Sequence, residues 1–274
     1  MTGQPDIRLL LADIDGTMVT NDKVLTADAQ AACRALRDAG IALAITSSRP
    51  PRGLAMLVQP LALDTPIAGF NGGVMVNPDL SVIETHTLDL AVARQTVALM
   101  LEHGLDVWLY TASDWFVRDR AAPHVAREEW ILKFGARSVA SFPDADLAQA
   151  AKITGVSDDP GRVAACEAAA QALLGDRASA ARSQTYFLDV THPLANKGAV
   201  AAAFAQRLGL TVDQIATIGD MPTDVLMFRQ SGLSIAMGNA SDAVKAQARF
   251  VTDSNQNEGF AKAIRKFILR SGSA

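Results

Sequence analysis

The sequence predicts an α/β protein, a doubly wound parallel sheet into which a smaller α+β module is inserted. Three observations predict it. Near both ends, short and continuously apolar runs alternate with helical segments, the pattern of parallel strands buried on both faces. In the middle, apolar runs alternate with polar residues and follow one another closely, as hairpin strands do. Acidic and hydroxyl side chains follow the apolar runs of the first kind, where open α/β sheets carry their ligands.

The elements follow in order. IRLLLA (7–12) is an apolar strand, and TADAQAACRALRDAG (26–40) is a helix with Thr26 as N-cap and Gly40 as its stop. IALAIT (41–46) is a second strand, followed by a helix near 52–58, and PIAGF (66–70) is a third. GVMVN (73–77) and SVIETH (81–86) pair around Pro78-Asp79. A helix near 90–103 leads to the alternating strands DVWLYTA (106–112) and DWFVRD (114–119). AKITGVS (151–157), a helix near 160–174, and the strands 178–184 and 186–192 complete the middle region. That region holds all three tryptophans and both tyrosines; Trp108, Tyr110, Trp115 and Phe116 are expected to pack its core. The rhythm of the first third then returns. A helix near 197–208 precedes QIATIG (214–219), a helix near 222–230, LSIAMG (233–238), FVTDS (250–254) and a closing helix near 258–269. The expected division is a Rossmann-like core of residues 1–84 and 190–274, with residues 85–189 inserted as a separate module.

Composition narrows the class. A chain of 274 residues that is 49% hydrophobic and 20% charged is long enough for two cores and is not a disordered one. A net charge of −4 gives no support to nucleic-acid binding. No apolar run approaches a membrane span, and the N-terminus meets acid too early for a signal peptide. Cys33 and Cys166 form no metal-ligand or redox spacing and are expected to be buried thiols, so the chain reads as cytoplasmic. The four histidines share no ligand spacing, and no motif specifies an oligomeric state.

The chemistry is carried by what stands just past the strands. LLLADIDGT (9–17) ends an apolar run in two carboxylates, Asp13 and Asp15, before Gly16-Thr17. The second strand delivers Thr46, Ser47, Ser48 and Arg49; ATIGDMPTD delivers Asp220 and Asp224; Lys197 opens a helix where the inserted module ends. Each pair of like charges about 4 Å apart would repel by roughly 4 kcal/mol at an effective dielectric near 20. One lysine does not neutralise four carboxylates. A hard divalent cation such as Mg2+, which favours carboxylate, carbonyl and water oxygens and sits beside substrate phosphates, would. Two acids two residues apart can divide labour, one attacking and the other moving protons. Gly16 lets the chain turn and lets backbone N–H groups approach phosphate oxygens.

DIDGT, a strand-terminal hydroxyl before Arg49, a lysine after an insert, and GDMPTD with downstream IAMGNA together resemble the haloacid dehalogenase superfamily of phosphatases. More narrowly they resemble its Cof-like members, whose large α/β cap lies between the second and third motifs. The match spans residues 7–17, 41–50, 66–73, 196–198 and 215–260, and four motifs in order make it specific. The resemblance implies a Mg2+-dependent phosphatase acting on a small phosphorylated metabolite. Sugar phosphates, pyridoxal phosphate and flavin mononucleotide all suit the family. It implies Asp13 as nucleophile and Asp15 as general acid/base, with Lys197 holding the phosphoryl group. Ser47 matches the phosphate-binding hydroxyl, with Thr46 its rival one place away. Mg2+ would be held by Asp13, the backbone carbonyl of Asp15 and Asp220, supported by Asp224. Arg49 braces either the substrate or its own loop. Asn71-Gly72 and Asn239 stand in turns that would floor and wall the site. Thr223 departs from the asparagine common in relatives and offers one hydroxyl where the amide has two donors.

Two other readings use much the same groups. A receiver-type signalling domain also has a phospho-accepting Asp, metal-binding acids, a Ser/Thr and a Lys, but Asp15 and the large insert speak against it. A sugar-phosphate phosphotransferase or mutase shares the first chemical step.

Overall fold

In the computed structural model, residues 6–269 are described. In chain order the elements are β1 (Leu9–Asp13), α1 (Ala27–Asp38), β2 (Ala42–Thr46), α2 (Ala55–Leu61) and β3 (Ile67–Gly69). Next come β4 (Val74–Val76), β5 (Val82–Thr85), α3 (Leu90–Glu102), β6 (Asp106–Tyr110), β7 (Trp115–Val117), α4 (Val125–Leu132), β8 (Arg137–Ser138) and α5 (Asp144–Leu147). They continue with β9 (Lys152–Val156), α6 (Pro160–Leu174), β10 (Ser179–Gln184), β11 (Phe187–Thr191), α7 (Lys197–Leu208) and β12 (Ile215–Gly219). The last are α8 (Val225–Phe228), β13 (Leu233–Ala236), α9 (Asp242–Lys245), β14 (Phe250–Val251) and α10 (Gly259–Ala263).

The chain divides into two compact units. Of the described residues, the first comprises 6–47, 56–68 and 196–269; the second comprises 48–55 and 69–195.

In the first unit the strands run β14-β13-β12-β1-β2-β3, all parallel. The chain winds outward from β1 through β2 and β3, and outward the other way from β12 through β13 and β14. The reversal lies between β1 and β12, where such sheets open a ligand crevice at their carboxyl ends. β1 and β12 are buried at every position, as strands covered on both faces must be. Helix α1 starts where Thr26 caps the Ala29 N–H and packs Ala29, Ala32, Cys33 and Leu36 inward. Several expected helices are shorter and tighter. Pro51 and Pro222 open 3-10 turns before α2 and α8, because a proline suits the first turn and donates no hydrogen bond there. The closing helix passes from α10 into a π-turn over Ile264–Leu269.

The second unit contains the antiparallel β4–β5 hairpin and a six-stranded sheet ordered β10-β11-β9-β6-β7-β8. Side chains alternate between its two faces. Val107, Leu109, Phe116, Ile153, Leu188 and Val190 enter one apolar cluster with residues of α3 and α6. Trp108, Tyr110 and Trp115 do not. They belong to the opposite face, so the expected four-residue aromatic core is split, with Phe116 alone in the helical cluster. The three are nonetheless fully buried, and Tyr110 stacks on Trp115 at 5.5 Å and 11°. Cys33 and Cys166 are free and buried, and burial pushes their thiols up to about 12 and about 11. Helices α4 and α5 and strand β8 fill 118–150, where the sequence pattern suggested no element.

Candidate active site

Local geometry explains how each acid reaches the crevice. After β1, the carbonyl of Ile14 accepts from the N–H groups of Thr17, Met18 and Val19, so the chain turns at once. Gly16 takes φ +81°, and a Cβ there would lie 2.3 Å from Asp220 Oδ2, so this close approach requires glycine. After β12, Asp224 folds back from its 3-10 turn and accepts the N–H groups of Asp220 and Met221 on Oδ2, both at 2.8 Å. Lys197 is the first residue of α7, whose start is fixed by Asn196 accepting from the Ala199 N–H at 2.9 Å.

These placements make a buried ionic cluster. Lys197 Nζ donates to Asp13 Oδ1 and to Asp224 Oδ1, each at 2.5 Å. Asp13 is 5% exposed, Lys197 2% and Asp224 0%. Among the described residues, Asp13, Asp220 and Asp224 each place a carboxylate oxygen within 4.8 Å of the others. Burial raises the Asp13 carboxyl to about 8 against the pull of Lys197, with Asp224 and Asp220 adding to the rise. Asp220 is raised to about 6, first by burial and then by Asp224, while Lys197 and the Thr17 hydroxyl lower it. Burial disfavours the charge on Lys197, but Asp13 and Asp224 outweigh it and hold the ammonium above its ordinary value.

Among the described residues, the buried Asp13 Oδ2 of this cluster and the buried Thr46 Oγ1 have no hydrogen-bond partner. Asp13 and Thr46 stand directly opposite each other in the β1–β2 register. Buried polar atoms are rarely left unpaired, and these two stand on neighbouring strand ends with capacity to bind a ligand.

The remaining expected residues divide. Ser47 is buried beside Thr46, its N–H donating to the Ala68 carbonyl at 3.0 Å. Asn239 Nδ2 donates to the Gly16 carbonyl at 2.9 Å and to Asp220 Oδ2 at 3.1 Å. Asp15 directs its carboxylate to Lys23 Nζ at 2.7 Å, outside the cluster of three. Thr223 is exposed in the Pro222–Asp224 turn. Arg49, Asn71 and Gly72 fall in the second unit. There Arg49 Nη1 donates to the Ile131 carbonyl at 3.4 Å, and Asn71 and Gly72 both have positive φ, 56° and 101°.

Sequence reasoning missed three contributors. Thr17 Oγ1 donates to Asp220 Oδ1 at 3.2 Å, and its place in DIDGT was a usable signal. Asn255 donates its N–H to Asn239 Oδ1 and so sets that amide's orientation. Lys23 adds a second cation near the acids, and nothing in its local sequence announces it.

An all-oxygen donor set with surplus negative charge suits a hard divalent cation. Asp13 Oδ2 is unclaimed by protein, and the Asp220 oxygens each accept one hydrogen bond and keep a lone pair. Asp224 has Lys197 on one oxygen and two backbone N–H groups on the other, which makes it a brace for the cluster. The residues therefore fit such an ion. Among the described residues, no helix is long and apolar enough to cross a membrane.

Comparison with known proteins agrees with this geometry. Residues 10–264 match the family model of the haloacid dehalogenase-like hydrolases. The chain is 26% identical to the Bacillus subtilis 5-amino-6-(5-phospho-D-ribitylamino)uracil phosphatase YcsE, over 96% of this chain and 97% of that protein. It is also 26% identical to the Escherichia coli pyridoxal phosphate phosphatase YbhA, over 96% and 99%. Among solved structures, BT1666 of Bacteroides thetaiotaomicron, a phosphatase of the haloalkanoate superfamily, superposes with a TM-score of 0.81 at 26% identity, covering 97% of both chains. A haloacid dehalogenase-like hydrolase from the same organism gives 0.87 at 24% identity, covering 96% of this chain and all of that one. With four ordered motifs, this fold and this acidic cluster, the chain belongs to the haloacid dehalogenase-like hydrolases and is a phosphatase of that superfamily.

Proposed function

We propose that the protein is a Mg2+-dependent hydrolase of a small phosphomonoester, a sugar phosphate or phosphorylated cofactor, working through an aspartyl-phosphate. One observation carries this: a buried Asp13 is held by Lys197 on one oxygen and left without a protein partner on the other, opposite a partnerless Thr46 hydroxyl.

In the proposed reaction the substrate phosphoryl group lies against Asp13, with Lys197 and the Thr46 or Ser47 hydroxyl on its oxygens. An Asp13 carboxylate oxygen bonds to phosphorus as the ester P–O bond breaks, and Asp15 gives its proton to the departing alcohol. Asp15, now ionised, takes a proton from water as that oxygen attacks phosphorus. The Asp13–phosphorus bond breaks and orthophosphate leaves, with both carboxyl groups restored. Bound by Asp13, Asp220 and the Asp15 carbonyl, with Asp224 bracing, Mg2+ would neutralise the charge of the phosphoryl group. Lys23 Nζ donates to Asp15 Oδ1 at 2.7 Å and would hold that side chain in place. Arg49, Asn71, Gly72, Thr223 and Asn239 are proposed as residues lining or steadying the substrate. The inserted module, residues 85–189, is proposed as the part that selects the leaving group.

YcsE and YbhA, by their names, act on a ribitylaminouracil phosphate and on pyridoxal phosphate, so both compounds belong in the first test. The experiment is orthophosphate release from these, from sugar phosphates and from flavin mononucleotide, with Mg2+ and with EDTA. Release that EDTA abolishes and Mg2+ restores is expected. No release from any ester, or release indifferent to EDTA, would refute the proposal.

A further inference from the structure

The six-stranded sheet has its apolar core on one face, against α3 and α6. Its other face buries a charge. Lys152, the first residue of β9, is 9% exposed and stands directly opposite Tyr110 of β6. An ammonium is costly to bury, and the core on the far side of the sheet does not require one. Its contacts show where it is directed. Nζ lies 5.3 Å from the ring centroid of Phe70 and 5.1 Å from that of Tyr110. It donates to Asp189 Oδ2 at 3.3 Å and to the main-chain carbonyl of Ser48 at 3.2 Å. Asp189 has a second support, since Thr154 Oγ1 donates to its Oδ1 at 2.7 Å.

The Ser48 carbonyl belongs to the peptide that joins Ser48 to Arg49, and Ser48 is bonded to Ser47. The Arg49 carbonyl accepts from the Phe70 N–H at 2.9 Å, so two consecutive carbonyls of this turn are fixed by groups of the second unit. Of these, only the Lys152 bond is charge-assisted, and such bonds are the stronger class.

We infer that Lys152 is a positioning residue for phosphate binding: it fixes the Ser48–Arg49 peptide and through it the turn that presents the Ser47 hydroxyl. This rests on the reading of that turn as a phosphoryl-binding one. The turn would hold the phosphoryl group in the substrate complex and in the transition state alike, so loss of the ammonium weakens phosphate binding more than it slows the chemical step.

The experiment measures orthophosphate affinity by calorimetry, together with kcat and KM for p-nitrophenyl phosphate and the melting temperature, on the full chain. Lys152→Met keeps an unbranched side chain against Phe70 and Tyr110 and removes the charge. It should weaken orthophosphate binding about tenfold and raise KM in proportion, with kcat changing less. Lys152→Arg should recover binding to within about threefold, and Asp189→Asn, which leaves the ammonium on Ser48, should stay in the same range. Unchanged affinity in Lys152→Met overturns the inference. So does an Asp189→Asn variant as weak as Lys152→Met, which would make the two residues a structural pair. Should Lys152→Met fail to fold, Lys152→Gln, polar but uncharged, is judged by the same affinity criterion. Calorimetry needs no turnover, so a wild-type protein that binds orthophosphate but hydrolyses no ester would sink the phosphatase reading and leave this one standing.

Discussion

Removing the ammonium from the buried cluster, as in Lys197→Met, tests the site most directly. Lys197 is 2% exposed and is shared by Asp13 and Asp224, each at 2.5 Å. In the variant Asp224 keeps two backbone N–H donors on its other oxygen, whereas Asp13 loses the Lys197 donor and, among the described residues, has no other. Deleting one member of a buried ion pair costs about 3–5 kcal/mol, because the remaining charge is left uncompensated. For chains of roughly this size each kcal/mol moves the melting temperature by about 2–4 °C, so a fall on the order of 10 °C is expected in EDTA at pH 9, where Asp13 is ionised in the wild type.

The deficit should also depend on pH. Burial already raises Asp13 from 3.8 to about 8 with Lys197 lowering it, so loss of the lysine raises it further. A carboxyl whose folded pKa lies above its unfolded value contributes stability that is complete below the unfolded value and lost as pH rises through the folded one. At pH 6 Asp13 is protonated in both proteins, and little separates them on this account. By pH 9 the wild type has an ionised Asp13 paired with Lys197, while the variant must hold a proton or bury a bare charge. The gap should therefore widen from pH 6 to pH 9, read by circular dichroism melts in EDTA. A melting temperature within about 2 °C of wild type at both pH values, or a larger loss at pH 6, would refute the reasoning.

Three further outcomes are expected. Asp13→Asn should abolish turnover of p-nitrophenyl phosphate while the circular dichroism spectrum stays native; retained activity would end the nucleophile assignment. Mg2+ binding must displace protons held by Asp13, at about 8, and Asp220, at about 6. Its affinity should thus climb between pH 6 and 8 with proton release visible by calorimetry in buffers of different ionisation enthalpy, and a pH-independent affinity would contradict this. Gly16→Ala places a methyl 2.3 Å from Asp220 Oδ2 at φ +81°, a conformation that costs an L-residue about 1–2 kcal/mol. It should weaken Mg2+ binding and turnover far more than it lowers the melting temperature, and unchanged Mg2+ affinity would show that the approach of Gly16 to Asp220 is unimportant.

Much of this molecule was legible because its signals are local. Helix α6 spans Pro160–Leu174 and α7 spans Lys197–Leu208, the ranges expected from sequence, and Asp159 and Asn196 cap them. The strands ending in Asp13, Thr46 and Gly219 announce themselves by uninterrupted apolar residues, and the acids beyond them mark the crevice. Other features depend on contacts that no window of sequence contains. Thr17 meets Asp220 across 203 positions, and Asn255 reaches Val19 across 236. Alternation shows that β6 has two faces but not which one the helices cover, so the burial of Trp108 and Tyr110 is legible and their face is not. Helix α4 begins at His124 in a left-handed conformation with no side-chain cap, and a start of that kind leaves no mark on the sequence.

The local signals and the long-range contacts meet at Asp13, and burial explains why that residue needs both. A carboxylate placed at the mouth of an apolar strand is driven toward its neutral form, and a neutral acid is a poor nucleophile. Lys197 alone does not reverse the shift, since Asp13 stays at about 8 with the ammonium 2.5 Å away. Asp224 and Asp220 push the same way as burial, so the acids that would gather a cation are also those that keep Asp13 protonated without one. In the proposed enzyme the free protein would hold its nucleophile largely unreactive near neutral pH, and ionisation would accompany metal binding. Such a cluster should therefore lose catalysis in EDTA through the charge state of Asp13 as well as through substrate affinity. Raising the pH toward 9 in EDTA would ionise Asp13 yet leave three carboxylates sharing one ammonium beside the phosphoryl group, and activity should not return.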